Sequence, residues 1–154
     1  MTLNIRLALS VMLAAFLLAV FSPAAHAQGN PAKIDKTIDK TIVKFEKTVQ
    51  SYEKKVNQLV AKCTTKVGKM VEKGQSAEQI NTYINKTIMT GMGFASTTRA
   101  KIDATERSGL RSLEKYDSSD EDDAEISSAA DDCHQQIDDI WTAAGTALHA
   151  LEVH

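Results

Sequence analysis

From Ile34 onward the apolar positions return at steps of three and four: Ile34, Ile38, Ile42, Phe45, Val49, Tyr52, Val56, Leu59, Cys63, Val67 and Met70. Sustained over about ten turns, this spacing predicts an amphipathic helix with one face committed to a coiled-coil-like seam. Its end is marked. Lys73 sits in the last turn, Gly74 suits a left-handed cap, and Ser76 with Gln79 forms a capping box that starts the next helix. "EKGQSAEQI" (residues 72–80) therefore reads as a tight helical hairpin.

The second stripe runs Ile80, Ile84, Thr87, Gly91, Phe94, Thr98, Ile102, Thr105, Gly109, Leu113, Tyr116. It is thin and interrupted. Glycine inside a helix costs about 1 kcal/mol relative to alanine, so the pattern predicts either a kink or early end near Gly91 or Gly109, or a close approach of a neighbouring helix at "TGMGFAS" (90–96). The third stripe runs Ile126, Ala129, Cys133, Ile137, Ile140, Ala144, Leu148, Leu151, with Trp141 beside it. Both prolines, Pro23 and Pro31, precede the stripes. The expected fold is all-α: an antiparallel up-down-up bundle of three long amphipathic helices, at about 33–73, 76–116 and 119–152 within a domain spanning 33–154, its second helix kinked or shortened.

Residues 1–27 are set apart from this domain. Arg6 and the free amine precede the uncharged apolar run Leu7 to Phe21, and "SPAAHA" ends in the small-x-small pattern Ala25-His26-Ala27. This is the layout of a secretory signal peptide, with cleavage expected after Ala27. Its apolar run of 15 residues falls short of the roughly 20 that a membrane-spanning helix needs. The mature chain, opening with a short segment at 28–32, is therefore expected to have no membrane span and to be exported, to a periplasm or outside the cell.

Export exposes Cys63 and Cys133 to an oxidising compartment, and two cysteines there favour a Cys63–Cys133 disulfide. Helix heights oppose it. At 1.5 Å per residue Cys63 stands roughly 45 Å above Lys33, while Cys133 stands roughly 21 Å above Ser119; a disulfide needs Cα atoms within about 7 Å. An intramolecular bond is expected only with a second helix that is bent or cut short. A bond between chains and a pair of buried thiols are the alternatives.

"DSSDEDDAEISSAADDCHQQIDD" (117–139) contains ten acids and no Lys or Arg. Ser118 or Ser119 is the expected N-cap of the third helix, with Glu121 or Asp122 completing the box, and Asp120 to Asp123 fill the first turn, where the helix dipole favours negative charge. Asp120, Asp131 and Asp138 fall on one line of the helix, and Glu121, Asp132 and Asp139 on another, both away from the apolar stripe. The segment is expected to be a solvated helix face. A calcium loop is excluded by Asp122 and Ser128 where an EF-hand needs Gly and Glu. Asp131, His134 and Asp138 are the candidate ligands for weak transition-metal binding, with no closed site to hold the ion.

Charge is sorted along the chain. Residues 28–75 carry eleven lysines against five acids, residues 76–116 six bases against four acids, and residues 117–154 eleven acids with no Lys or Arg. On a helical wheel the eleven lysines fall within an arc of about 120°, while Asp35, Asp39, Glu46 and Glu53 border the other side of the apolar stripe. Such flanks are expected to select neighbours by charge, as coiled-coil flanking positions do.

The ridge also suits anionic surfaces, but the mature chain is net acidic and the ridge lacks interleaved aromatics, which argues against nucleic acid. Commitment of the apolar stripe to the core argues against a dedicated membrane binder, leaving peripheral contact as the less favoured use. Cys133 and His134 diverge by about 100° on a helix, and no phosphate loop, H-E-x-x-H or G-x-S-x-G occurs. No enzyme activity and no cofactor are expected. The expected function is protein binding or scaffolding, including chaperone-like holding or self-association, through charged faces; the alternative is weak metal or polycation buffering by the acidic face.

Overall fold

The computed structural model describes residues 30–153. The expected signal peptide and its cleavage point lie outside these residues. Three helices, α1 (Pro31–Glu72), α2 (Ala77–Leu113) and α3 (Asp120–His149), pack against one another, with a single 3-10 turn (Glu114–Tyr116) ahead of α3. The described chain is all-helical, as the apolar periodicity predicts.

Each boundary has a local cause. Pro31 opens α1 because its fixed φ fits a first turn in which its missing N–H would have had no helical acceptor. At the other end Gly74 adopts φ +66°. Its N–H donates to the Val71 carbonyl at 2.9 Å and that of Gln75 to Met70 at 3.1 Å, the paired bonds of a Schellman cap. The capping box then forms in both directions: Gln79 N–H to Ser76 Oγ at 3.3 Å, and Ser76 N–H to Gln79 Oε1 at 3.2 Å. A second box starts α3. Ser119 Oγ accepts from Asp122 N–H at 3.2 Å, and Asp122 Oδ2 accepts from Ser119 N–H at 2.8 Å. Asp117, at φ +58°, makes the left-handed step between the 3-10 turn and this cap, a conformation Asp tolerates better than most residues.

The expected kink or shortening of α2 does not occur: it is one unbroken helix through Gly91, Gly93 and Gly109. Two of these glycines are sockets. A Cβ at Gly91 would lie well under 3.0 Å from the Trp141 ring, and within 3.2 Å of Leu59 Cδ2. One at Gly109 would meet Thr41 Cγ2 at 2.8 Å and Ile126 Cδ1 at 3.1 Å. The propensity lost at each glycine, about 1 kcal/mol, is offset by close packing of its neighbours.

These sockets define two layers through the molecule, Thr41–Gly109–Ile126 and Leu59–Gly91–Trp141. A main core cluster includes Phe45, Tyr52, Val56, Ile102, Ile126 and Ile137; a second contains Cys63, Val67, Met70, Ile80, Ile84 and Leu148. Val60 and Trp141 pack against both. Beyond α3, Leu151 and Val153 fold onto the second cluster. Asn81 fixes them there, donating from Nδ2 to the Val153 carbonyl and accepting from the Val153 N–H, both at 3.0 Å. Among the described residues, no helix is long and apolar enough to cross a membrane.

Candidate functional site

All eleven lysines of the basic segment, from Lys33 to Lys73, are exposed. Lys33 lies over the Tyr116 ring, 5.6 Å from its centroid; nine more extend the ridge along α1, and Lys73 stands at its C-cap. Thr41 and Leu59, on one side of the α1 stripe, touch α2 at its two sockets. Ile42 and Val60, on the other side, are partly buried in the core. The acids Asp35, Asp39, Glu46 and Glu53 continue outward from Ile42 and Val60, and the lysines outward from Thr41 and Leu59.

On α3 the sides are equally distinct. Arg99 of α2 pairs with Asp138, and Asp103 of α2 meets His134 Nε2 at 2.9 Å, so the line of Asp120, Asp131 and Asp138 borders α2. Glu121, Asp132 and Asp139 lie on the other flank, toward α1. Glu46 of α1 is close enough to Cys133 to disfavour its thiolate, as Asp132 does. The acidic flank of α1 therefore faces the acidic flank of α3. The charge-selected pairing expected of the α1 flanks fails at this seam.

Packing outweighs charge here. Seating an aromatic ring such as Trp141 over Gly91 buries on the order of 150–250 Å², about 4–6 kcal/mol at 25 cal/mol per Å². An exposed ion pair contributes roughly 0.2–1 kcal/mol and is screened by salt. The helices settle where the sockets fit, and like-charged flanks meet as a result.

The metal candidates are divided by the same geometry. His134 and Asp138 are engaged with Asp103 and Arg99 across the α2–α3 contact, and Asp131 is exposed. Among the described residues no three His, Cys, Asp or Glu side chains converge on a position for a metal ion.

Cys63 and Cys133 are free and buried, and the expected intramolecular disulfide is absent. Height is the reason. Thr41 and Ile126 share a layer; Cys63 lies 22 residues beyond Thr41 and Cys133 only seven beyond Ile126, an offset of roughly 22 Å. The unbroken α2 leaves that offset in place. Burial pushes the Cys63 thiol up, against a hydrogen bond with Thr87. Burial, then Asp132, then Glu46 push Cys133 up to about 11, so neither thiol is set up as a nucleophile.

Sequence reasoning missed Tyr52. It is 1% exposed, and its hydroxyl has no hydrogen-bond partner among the described residues. Burial raises its pKa, and the Arg99 charge only partly opposes this. Nothing in a helical stripe distinguishes such a tyrosine from a phenylalanine. The candidate site that emerges is a pair of surfaces of opposite sign: a lysine ridge on α1, and an acidic seam shared by α1 and α3. No family model, curated protein or solved structure matches the chain.

Proposed function

We propose that this chain is an exported, non-enzymatic bundle protein, with helices running up, down and up, that binds or scaffolds other proteins through its charged faces. The two socket layers support that topology, since α1 and α3 both advance from the Gly109 layer to the Gly91 layer while α2 returns. The observation that carries the functional reading is the exposure of all eleven lysines along one side of a helix whose other flank is acidic. A packed bundle holds these surfaces at fixed separation, which suits charge-selective docking and chaperone-like holding of a client. Periplasm or extracellular space is the proposed location, on the strength of residues 1–27.

Affinity capture from the compartment in which the protein accumulates tests this reading. Wild-type protein should retain specific proteins at low salt, and a variant with Lys40, Lys44, Lys47 and Lys54 changed to Gln should lose them. Capture that is unchanged by these substitutions and by salt would contradict it.

The second reading is cation or polycation buffering. Its support is the seam itself, because Glu46 beside Cys133 and Asp132 extends the acidic surface from α3 onto α1. Metal analysis of the natively purified protein, with polyamine titration by calorimetry, tests that reading. Cation binding that persists after Asp132→Asn and Asp139→Asn would remove the seam as its basis.

A further inference from the structure

The lysine ridge and the acidic seam match in length as well as in sign. Asp35 to Glu53 on α1 and Glu121 to Asp139 on α3 each span 18 residues, roughly 27 Å of helix. Lys33, Lys36, Lys40, Lys44, Lys47 and Lys54 cover 21 residues of the same stretch of α1, roughly 32 Å. Around the α1 axis the centres of the two surfaces are about 140° apart; Lys36 borders Asp39 at i,i+3, and the rest of the ridge is turned away from its own molecule's seam. The α2 flank toward the ridge carries Thr90, Thr97 and Ser112, whose hydroxyls donate to the carbonyls of Lys86, Gly93 and Ser108 at 2.9, 2.8 and 2.7 Å. That flank offers the ridge no carboxylate.

We propose that the lysine-bearing face of α1 docks along the acidic α1–α3 seam of a second copy of this chain, head to tail. This inference rests on the reading of the charged faces as contact surfaces and names the partner. A lysine row entering the seam would meet carboxylates from both helices, Glu46 of α1 and Asp132 of α3, each near enough to Cys133 to disfavour its thiolate. Because ridge and seam lie on different sides of the molecule, a copy bound through its ridge keeps its own seam open. Such a contact is heterologous and does not close on itself, so it builds chains that lengthen with concentration.

The test uses the purified mature protein alone and two variants. The ridge variant carries Lys40→Gln, Lys44→Gln, Lys47→Gln and Lys54→Gln. The seam variant carries Asp39→Asn, Glu46→Gln, Asp132→Asn and Asp139→Asn. All eight side chains are exposed, so helicity by circular dichroism should match wild type. At low salt, sedimentation velocity of wild type should show mass rising past the dimer with concentration. It should collapse to monomer near 0.5 M sodium chloride, where screening extends over only a few Å. Each variant alone should associate about fourfold to several-hundredfold more weakly, the product of four exposed pairs.

Mixing the variants is the decisive arm. Each supplies the surface the other lacks, so a one-to-one mixture should form a dimer and stop there. Wild type that stays monomeric at every salt, a variant that associates as strongly as wild type, or a mixture that associates no more strongly than either variant alone would overturn the proposal. Loss of self-association alongside persistent capture of another protein would sink this inference and leave the broader reading standing.

Discussion

Replacing Gly91 with alanine should destabilise the protein, although alanine is the better helix former. The Cβ gains about 1 kcal/mol in helix propensity. It also enters space held by the Trp141 ring, well under 3.0 Å from two ring carbons, and comes within 3.2 Å of Leu59 Cδ2. An aromatic ring held between α1 and α2 cannot yield as a flexible side chain would, so overpacking should cost about 1–3 kcal/mol. The net loss is then up to about 2 kcal/mol, a fall in Tm of several degrees for a domain of this size.

The control lies two residues away. Gly93 has nothing within 4 Å of its Cβ position, so Gly93→Ala should stabilise by up to about 1 kcal/mol. The single tryptophan reports the contact directly, since Trp141 is the ring displaced. Urea unfolding followed in parallel by tryptophan fluorescence and circular dichroism measures both variants. In a Trp141→Leu background, the Gly91→Ala penalty should shrink or reverse. A Gly91→Ala protein as stable as Gly93→Ala would refute the close seating of Trp141 on Gly91.

Four further outcomes are expected. Purified protein should carry two free thiols that react slowly until unfolded, by intact mass after alkylation; a mass two hydrogens lighter, or a reductant-sensitive dimer, would contradict the buried-thiol arrangement. Because the Cys133 thiol rises from its ordinary value near 9 to about 11 in the folded protein, the unfolded chain ionises first. Stability should fall as pH rises between these values, and Cys133→Ala should reduce that slope in pH-dependent urea melts. Ser119→Ala should cost about 1 kcal/mol through loss of the α3 cap, and Ser118→Ala clearly less; equal effects in thermal melts would show that the cap is misassigned. Asn81→Ala should abolish hydrogen-exchange protection of the Val153 amide while the α1 core amides remain protected; an unaltered Val153 rate would remove Asn81 as the anchor of this segment.

What the sequence made legible was local. The stripes, the Gly74 stop and the two capping boxes depend on residues within a turn of each other, and their spacing encodes them. The α2 glycines were ambiguous because a stripe cannot tell a break from a socket; only Trp141, Thr41 and Ile126, distant in sequence, make that distinction. The disulfide was a question of height, and height depends on whether α2 is straight.

The side of α1 that meets α3 was hidden for another reason. A helical wheel gives angular order but not the hand in which three helices are arranged around their core, so lysines or acids could equally have bordered α3. The α1–α3 acidic seam exists only in one of those arrangements. Tyr52 was hidden because its hydroxyl has no counterpart in an apolar pattern.

The orientation of that seam is the claim on which the cation-buffering reading and the head-to-tail docking both rest, and thiol cross-linking measures it directly. In a background with Cys63→Ala and Cys133→Ala, single cysteines are placed at Glu46 and Asp132, and in a second protein at Lys47 and Asp132. A short bifunctional maleimide, at low protein concentration, should link the Glu46→Cys and Asp132→Cys pair rapidly within one chain and the Lys47→Cys and Asp132→Cys pair slowly. Faster linkage from the Lys47 position would place the lysines, not the acids, against α3 and contradict the account.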